Sequence, residues 1–244
     1  MSRRRKSLGL PPGSVVYTGN KSVEKVEIHH LTYDQKALTE KQLENHGEIV
    51  FEASSLQHLD WYDIRGVHDT ALIEQIGGAY NVHTLILEDI TNVYQRPKLD
   101  TYDNGVFLIL KALAFDPKTR KATREQVAIF FRAGLVLSFQ ETDSDLFELV
   151  RDRIRSEKGR IRQRGADYLA YALIDVLVDN FFNVLESLGD EIEEVEERML
   201  ENPEARHKVE IHQLKKELLS MRKSIVPLRE AISQFAKSDR KSVV

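Results

Sequence analysis

Three groups of carboxylates in the sequence could do chemistry. Glu88 and Asp89 are adjacent within Leu85–Asn92 (LILEDITN), between apolar residues that must face a core. Asp175 and Asp179 fall in Tyr168–Leu188, the most apolar long window, and four residues apart on a helix they share a face. Glu186–Glu201 holds eight acidic residues against one arginine. Carboxylates among apolar neighbours are costly unless paired, hydrogen-bonded or bound to a cation. Two readings stay open from the residues alone. One is a buried cap or salt bridge, with the basic stretch Arg151–Arg164 as partner. The other is a hard divalent ion, since Mg²⁺ takes oxygen ligands and typically uses one or two carboxylates with waters. Acidic groups without cysteine or clustered histidine suit Mg²⁺ or Ca²⁺ better than Zn²⁺. The acidic run reads as a solvated helix face or, alternatively, as a surface that attracts cations through its summed field.

Other chemistries are poorly represented. The 244 residues contain no cysteine, so neither a disulfide, a thiolate metal site nor a cysteine nucleophile is available. There is no Gly-x-Ser-x-Gly, no phosphate-binding glycine loop and no His-Glu-x-x-His. Eight scattered histidines, with only His29 and His30 adjacent, read as structural or surface residues. An enzyme is therefore not expected. A formal net charge of −4 argues against a nucleic-acid partner. Arg151–Arg164 has seven basic residues but no interleaved aromatics, and Asp152 and Glu157 interrupt it, so it reads as an ordinary amphipathic surface. Tyr168–Leu188 is long enough to span a bilayer, but it contains Asp175, Asp179 and Glu186. Each charge costs roughly 2.5–3.5 kcal/mol at a membrane centre while a leucine returns about 0.5, so no span is expected there. No apolar run of signal-peptide length follows the basic start Met1–Lys6. The chain as written is expected to be soluble and cytoplasmic.

The elements that must position these groups are legible in outline. Residues 1–22 form a basic lead-in with Pro and Gly. Lys25–Tyr33 and Leu59–Arg65 have strand chemistry, and Leu38–Asn45, after Thr39, reads as a short helix. Ala71–Tyr80 and Leu85–Asn92 repeat apolar residues at helical spacing, and Arg96-Pro97 ends that run. Gly105–Phe115, Gln126–Phe131 and Leu135–Gln140 read as strands bounded by the turn signals Asp116-Pro117 and Ala133-Gly134. Thr142–Asp145 can cap a helix over roughly Leu146–Lys158. From Ala166 nothing stops a helix before Asn202-Pro203, where Asn202 can cap the next helix with Pro203 at its first position. Phe181, Leu185, Leu188, Ile192, Val195 and Met199 recur at gaps of 4, 3, 4, 3, 4, and Ile211 to Phe235 recur likewise. Two such heptad patterns joined by a short turn predict a long antiparallel helical hairpin. Pro227 should kink its second helix. The expected architecture is α+β, with a mixed sheet between helical layers over 23–165 and the hairpin over 166–244.

Several segments in this order also carry a resemblance. They are Leu10–Gly19 (LPPGSVVYTG), Leu87–Lys98 (LEDITNVYQRPK), Glu125–Val127 with Phe139–Glu141 (FQE), and Arg151–Arg155 (RDRIR). Further on come Arg164–Phe182 (RGADYLAYALIDVLVDNFF), Leu188–Leu200 (LGDEIEEVEERML), and Leu214–Glu230 with its ending Pro227-Leu228-Arg229-Glu230. Together they resemble the cytosolic N-terminal domain of the CorA family of magnesium and cobalt channels. The resemblance implies an α/β/α sandwich with a pair of long acidic helices, followed in the full-length family by a stalk helix and two membrane spans. It implies a homopentamer around one pore, a plasma (inner) membrane location, and divalent-ion sensing in which Mg²⁺ between subunits favours the closed pore. The family's sensing carboxylates match Glu88, Asp89 and Asp175, with Asp179 a weaker supporting candidate. A further family aspartate, from a neighbouring stalk, belongs to a position expected beyond Val244, as do the spans and their Gly-Met-Asn signature. The expected ion is Mg²⁺, with Co²⁺ or another divalent cation as alternatives. The Zn²⁺-transporting branch of the superfamily is a close rival. A stand-alone interaction module using the helical arm is a second class, and a metal-dependent hydrolase a distant third.

Overall fold

The computed structural model describes residues 9–20, 23–43, 51, 56–116 and 119–242. Seven strands form one mixed sheet in the order β2-β1-β3-β7-β6-β5-β4. They are β1 (Glu27–Tyr33), β2 (Leu38–Leu43), β3 (Leu59–Arg65), β4 (Lys98–Tyr102), β5 (Gly105–Asp116), β6 (Lys121–Arg132) and β7 (Leu135–Gln140). All neighbours run antiparallel except β3 and β7, which pair in parallel from Asp60↔Leu135 to Arg65↔Gln140. That single parallel pair needs a long crossover, and the chain supplies it with two helices and three strands. Every residue of β3 and β7 is buried, as expected for strands covered on both faces.

Side chains of alternate strand residues enter two separate cores. On one face Tyr62, Ile64, Phe107, Ile109 and Phe139 meet α1 (Thr70–Tyr80) and α2 (Thr84–Thr91). On the other Trp61, Leu108, Leu110 and Ile129 meet α3 (Glu148–Arg155) and α4 (Ala166–Glu201). The layers are therefore helix, sheet, helix, as expected. Asp69 caps α1 by accepting from the Leu72 amide at 3.1 Å, and Asn81 ends it in the left-handed region. Gly77 lets α2 lie close against α1, because a Cβ there would stand 2.4 Å from Leu87 Cδ1.

The first half of α4 is apolar and long enough to cross a membrane by composition. Leu169, Leu173 and Leu177 are buried against the sheet instead. Each such leucine contributes roughly 1.5–3 kcal/mol when fully buried, which holds this half of the helix on the sheet. The second half extends toward Glu201 and returns as α5 (Ala205–Ser242). Val178 and Phe181 lie against Ile225 and Ile232, while Ile192 and Val195 lie against Ile211 and Leu214. This pairing is antiparallel and confirms the hairpin. α5 continues through Pro227 as one helix.

Four local expectations are corrected. The helix expected from Leu38 is the edge strand β2; its residues 44 and 45 lie outside the described residues. Its Thr-Glu-Lys-Gln composition is helix-compatible, but Asp34 Oδ1 accepts from Lys36 and Ala37 N–H and so turns the chain back onto β1. The helix expected from Leu146 begins later, at Glu148, with no side-chain cap. Thr142 and Ser144 are drawn off by Glu125, which accepts from both hydroxyls. Asn202 closes α4 rather than opening α5, which starts only at Ala205. Finally, β4 was not expected, and β6 begins at Lys121 rather than Gln126, because their polar residues hide the pattern. Parts of the lead-in (1–8 and 21–22) and of the Asp116-Pro117 turn lie outside the described residues.

Candidate metal centre

Helix α2 carries Glu88 and Asp89 on the sheet face opposite α4. Its apolar residues Ile86, Leu87 and Ile90 are buried, which leaves Glu88 half-buried at the rim and tucks Asp89 to 8% exposure. The N-terminal segment lies alongside as a strap. Gly13 N–H donates to Glu88 Oε2 at 2.7 Å, Thr18 N–H to Thr91 O at 3.1 Å, and Thr18 Oγ1 meets Asn92 Oδ1 at 3.2 Å. Gly13 adopts φ +84°, and a Cβ would stand 2.8 Å from Thr84 Oγ1, so both the backbone and the space require glycine.

Asp89 is held from two sides. Gln95 Nε2 donates to Oδ1 at 2.6 Å and Lys98 Nζ to Oδ2 at 2.6 Å. Lys98 also reaches Asp100 at 2.7 Å. Burial holds Asp89 above the usual carboxylate range, with Glu88 adding to the effect and Lys98 opposing it. Burial acts against the Lys98 charge as well, but Asp100 and Asp89 outweigh it and raise its pKa. Leu10, Pro12, Leu85, Glu88, Asp89, Lys98, Asp100, Thr101 and Tyr102 line one open recess of about 670 Å³. Lys98 and Asp100 carry no sequence signal beyond the place of Lys98 at the end of LEDITNVYQRPK and an i, i+2 spacing that puts the pair on one side of β4.

Asp175 lies across the sheet on α4. It is half-buried between Ile174 and Val176, and among the described residues its carboxylate forms no hydrogen bond or ion pair. Asp179, one turn on, is exposed and equally without a partner among them. The salt-bridge reading with Arg151–Arg164 does not hold: among the described residues no basic side chain of that stretch pairs with Glu88, Asp89, Asp175 or Asp179, and Arg151, Arg155 and Arg162 bond elsewhere. Arg151 is itself buried and reaches Asp63 Oδ2 at 2.9 Å, Glu148 at 2.7 Å and Asp145. Arg155 pairs with Glu40 and Glu148, and Arg162 with Glu157. Among the described residues the acidic run is matched only by Arg120, on Glu191 and Glu194, while its own Arg198 pairs with Glu210 on α5.

One chain thus unites Glu88 and Asp89 and separates them from Asp175 by the thickness of the sheet. Among the described residues no three histidine, cysteine, aspartate or glutamate side chains form a metal-binding group. The donors present are hard oxygens, which fit Mg²⁺ chemistry, but each surface alone supplies an incomplete shell.

The chain is similar to known proteins along most of its length. The family model for a CorA-like Mg²⁺ transporter protein matches residues 56–243. Over 228 residues the chain is 43% identical to the cobalt/magnesium transport protein CorA of Thermotoga maritima, covering 93% of this chain and 64% of that protein. It is 24% identical over 186 residues to the CorA of Methanocaldococcus jannaschii, covering 76% and 56%. It therefore spans less than two thirds of the length of these relatives. Its fold is similar to the soluble domain of CorA from M. jannaschii, with a TM-score of 0.67 at 20% identity over 84% of this chain and 77% of that one. It is also similar to the cytoplasmic domain of ZntB from Vibrio parahaemolyticus, with a TM-score of 0.63 at 17% identity over 87% and 80%.

Proposed function

Because the chain belongs to the CorA-like Mg²⁺ transporter family, we propose that it is the divalent-cation-sensing cytoplasmic part of a Mg²⁺/Co²⁺ channel. Glu88 and Asp89 of one copy and Asp175 of another are the ion ligands, Asp179 supports them, and Mg²⁺ between copies favours the closed pore. Residues 23–165 form the sandwich and 166–244 the arm of this unit. It catalyses no reaction; its location at a plasma (inner) membrane and its assembly as a homopentamer belong to the same proposal.

The observation that carries this reading is Asp175, a half-buried carboxylate in an apolar helix without a partner among the described residues. Such a group is costly until a cation or donor arrives. Carboxylates brought together between copies repel one another, and a cation between them reverses the sign. Binding in one arrangement only stabilises it by RT ln(1 + [L]/Kd), about 2.7 kcal/mol per site at one hundred times Kd. The shift comes entirely from differential affinity, so several sites acting together move a gate by several kcal/mol. The fold likeness to the ZntB cytoplasmic domain speaks to architecture and not to the ion.

The test is a Mg²⁺ titration of the melting temperature of the chain, with Glu88→Ala and Asp175→Ala alongside. Mg²⁺-dependent stabilisation in wild type that shrinks in both variants supports the reading. A melting temperature independent of Mg²⁺ in wild type contradicts it and favours an interaction module. A response to Zn²⁺ in place of Mg²⁺ favours the zinc branch.

A further inference from the structure

The last carbonyls of a helix have no partner within the helix. At the end of α2 those of Asp89 and Ile90 are satisfied from the sheet. Asn92 N–H donates to Glu88 O at 3.0 Å as the closing helical bond. Beyond it, Gln126 Nε2 on β6 donates to Asp89 O at 3.0 Å and to Ile90 O at 3.3 Å. Lys111 Nζ on β5 donates to Val93 O at 2.8 Å and to Gln126 Oε1 at 3.0 Å. The lysine therefore orients the glutamine amide, and the amide in turn holds the peptide of Asp89 itself. Gln126 is 2% exposed, so no water competes for these bonds.

The choice of lysine is informative. Burial pushes the Lys111 amine down to about 8, with Glu141 partly opposing and Arg124 adding to the shift. A buried ammonium costs stability, which a methionine of similar length would avoid. What lysine supplies, and methionine cannot, is a fork of N–H donors with a positive charge at the negative end of a helix dipole.

We propose that Lys111 and Gln126 are positioning residues for the cation site, holding the end of α2 so that Glu88 and Asp89 present their carboxylates to a divalent ion that neither residue touches. This rests on the reading of Glu88 and Asp89 as ion ligands. Partners that orient metal ligands typically matter about 10–100-fold in affinity. The test is Mg²⁺ affinity by calorimetry on the 244-residue chain, with hydrogen exchange over α2 measured on the cation-free protein. Lys111→Met and Gln126→Leu should each weaken Mg²⁺ binding about 10-fold and speed exchange at residues 88–93. Lys111→Arg, which keeps the donors, should restore most of the affinity. Wild-type Mg²⁺ affinity in Lys111→Met and Gln126→Leu, with only a lower melting temperature, would overturn the proposal. Failure of the underlying reading has a different signature: Asp89→Asn then binds Mg²⁺ as wild type does, and the proposal falls with it even where α2 exchange is still accelerated.

Discussion

The Lys98 ammonium lies 2.6 Å from the Asp89 carboxylate and 2.7 Å from that of Asp100, in the place between two carboxylates that a cation would take. An internal cation of this kind competes with an external one. Lys98→Met should therefore tighten Mg²⁺ binding, by up to about fivefold, since a partly exposed pair is worth up to ~1 kcal/mol. Calorimetric Mg²⁺ titration checks this, and equal or weaker binding would count against a cation site at Asp89.

The strap gives a second prediction. Gly13→Ala places a Cβ 2.8 Å from Thr84 Oγ1 on a backbone at φ +84°. Strain of about 1–2 kcal/mol should lift the strap locally rather than unfold the chain. The Thr18 amide, which now donates to Thr91 O, should exchange faster, while the amides of β3 and β7 keep their protection. Unchanged exchange at residue 18 would show that the strap does not depend on this turn.

Arg151 and Asp63 form the most enclosed ion pair described, at 1% and 0% side-chain exposure. Asp63 also accepts from Ser138 Oγ and Gln140 Nε2, both at 2.7 Å, tying α3 to β3 and β7. Arg151→Met leaves Asp63 charged and buried and should cost about 3–5 kcal/mol, read as a fall in the urea midpoint. A loss below about 1 kcal/mol would place the pair among ordinary surface bridges.

Lys111 sets a pH dependence whose sign follows from its lowered pKa. Between about 8 in the fold and the ordinary 10.5, the unfolded chain binds one more proton than the native one. Stability from this group therefore rises with pH across that window, by at most about 1.4 kcal/mol per unit, and is smallest below it. Urea unfolding from pH 7.5 to 10 should show a rising component that Lys111→Met removes. An identical pH profile in the variant would refute the assignment.

How much of this was legible in the sequence depended on which physical signal dominated. The long helix from Ala166 to Glu201 was readable to the residue, because nothing breaks it before Asn202 and its heptads match a real partner in α5. Strands β5 and β7 were equally clear from their nearly unbroken apolar runs, and β3 from its alternation, whereas only the apolar second half of β6 showed. Strand β2 was misread because local composition favours a helix while the free edge of β1 offers backbone pairing that no window reveals. Glu88 and Asp89 stood out as carboxylates flanked by core residues. Lys98, Asp100 and Lys111 did not, because their meaning comes from strands that lie beside α2 only in three dimensions. The partner of Asp63 was hidden for the same reason: 88 residues separate it from Arg151, inside a stretch that reads as ordinary basic surface.

The central claim is that Glu88, Asp89 and Asp175, on opposite faces of one chain, answer to the same ion between copies. Hydrogen exchange followed through a Mg²⁺ titration tests it most directly. Residues 84–93 and 171–179 should gain protection together, with one midpoint, and Asp175→Ala should abolish the gain at both. Protection of one segment without the other, or of both segments unaltered in Asp175→Ala, would contradict a shared ion.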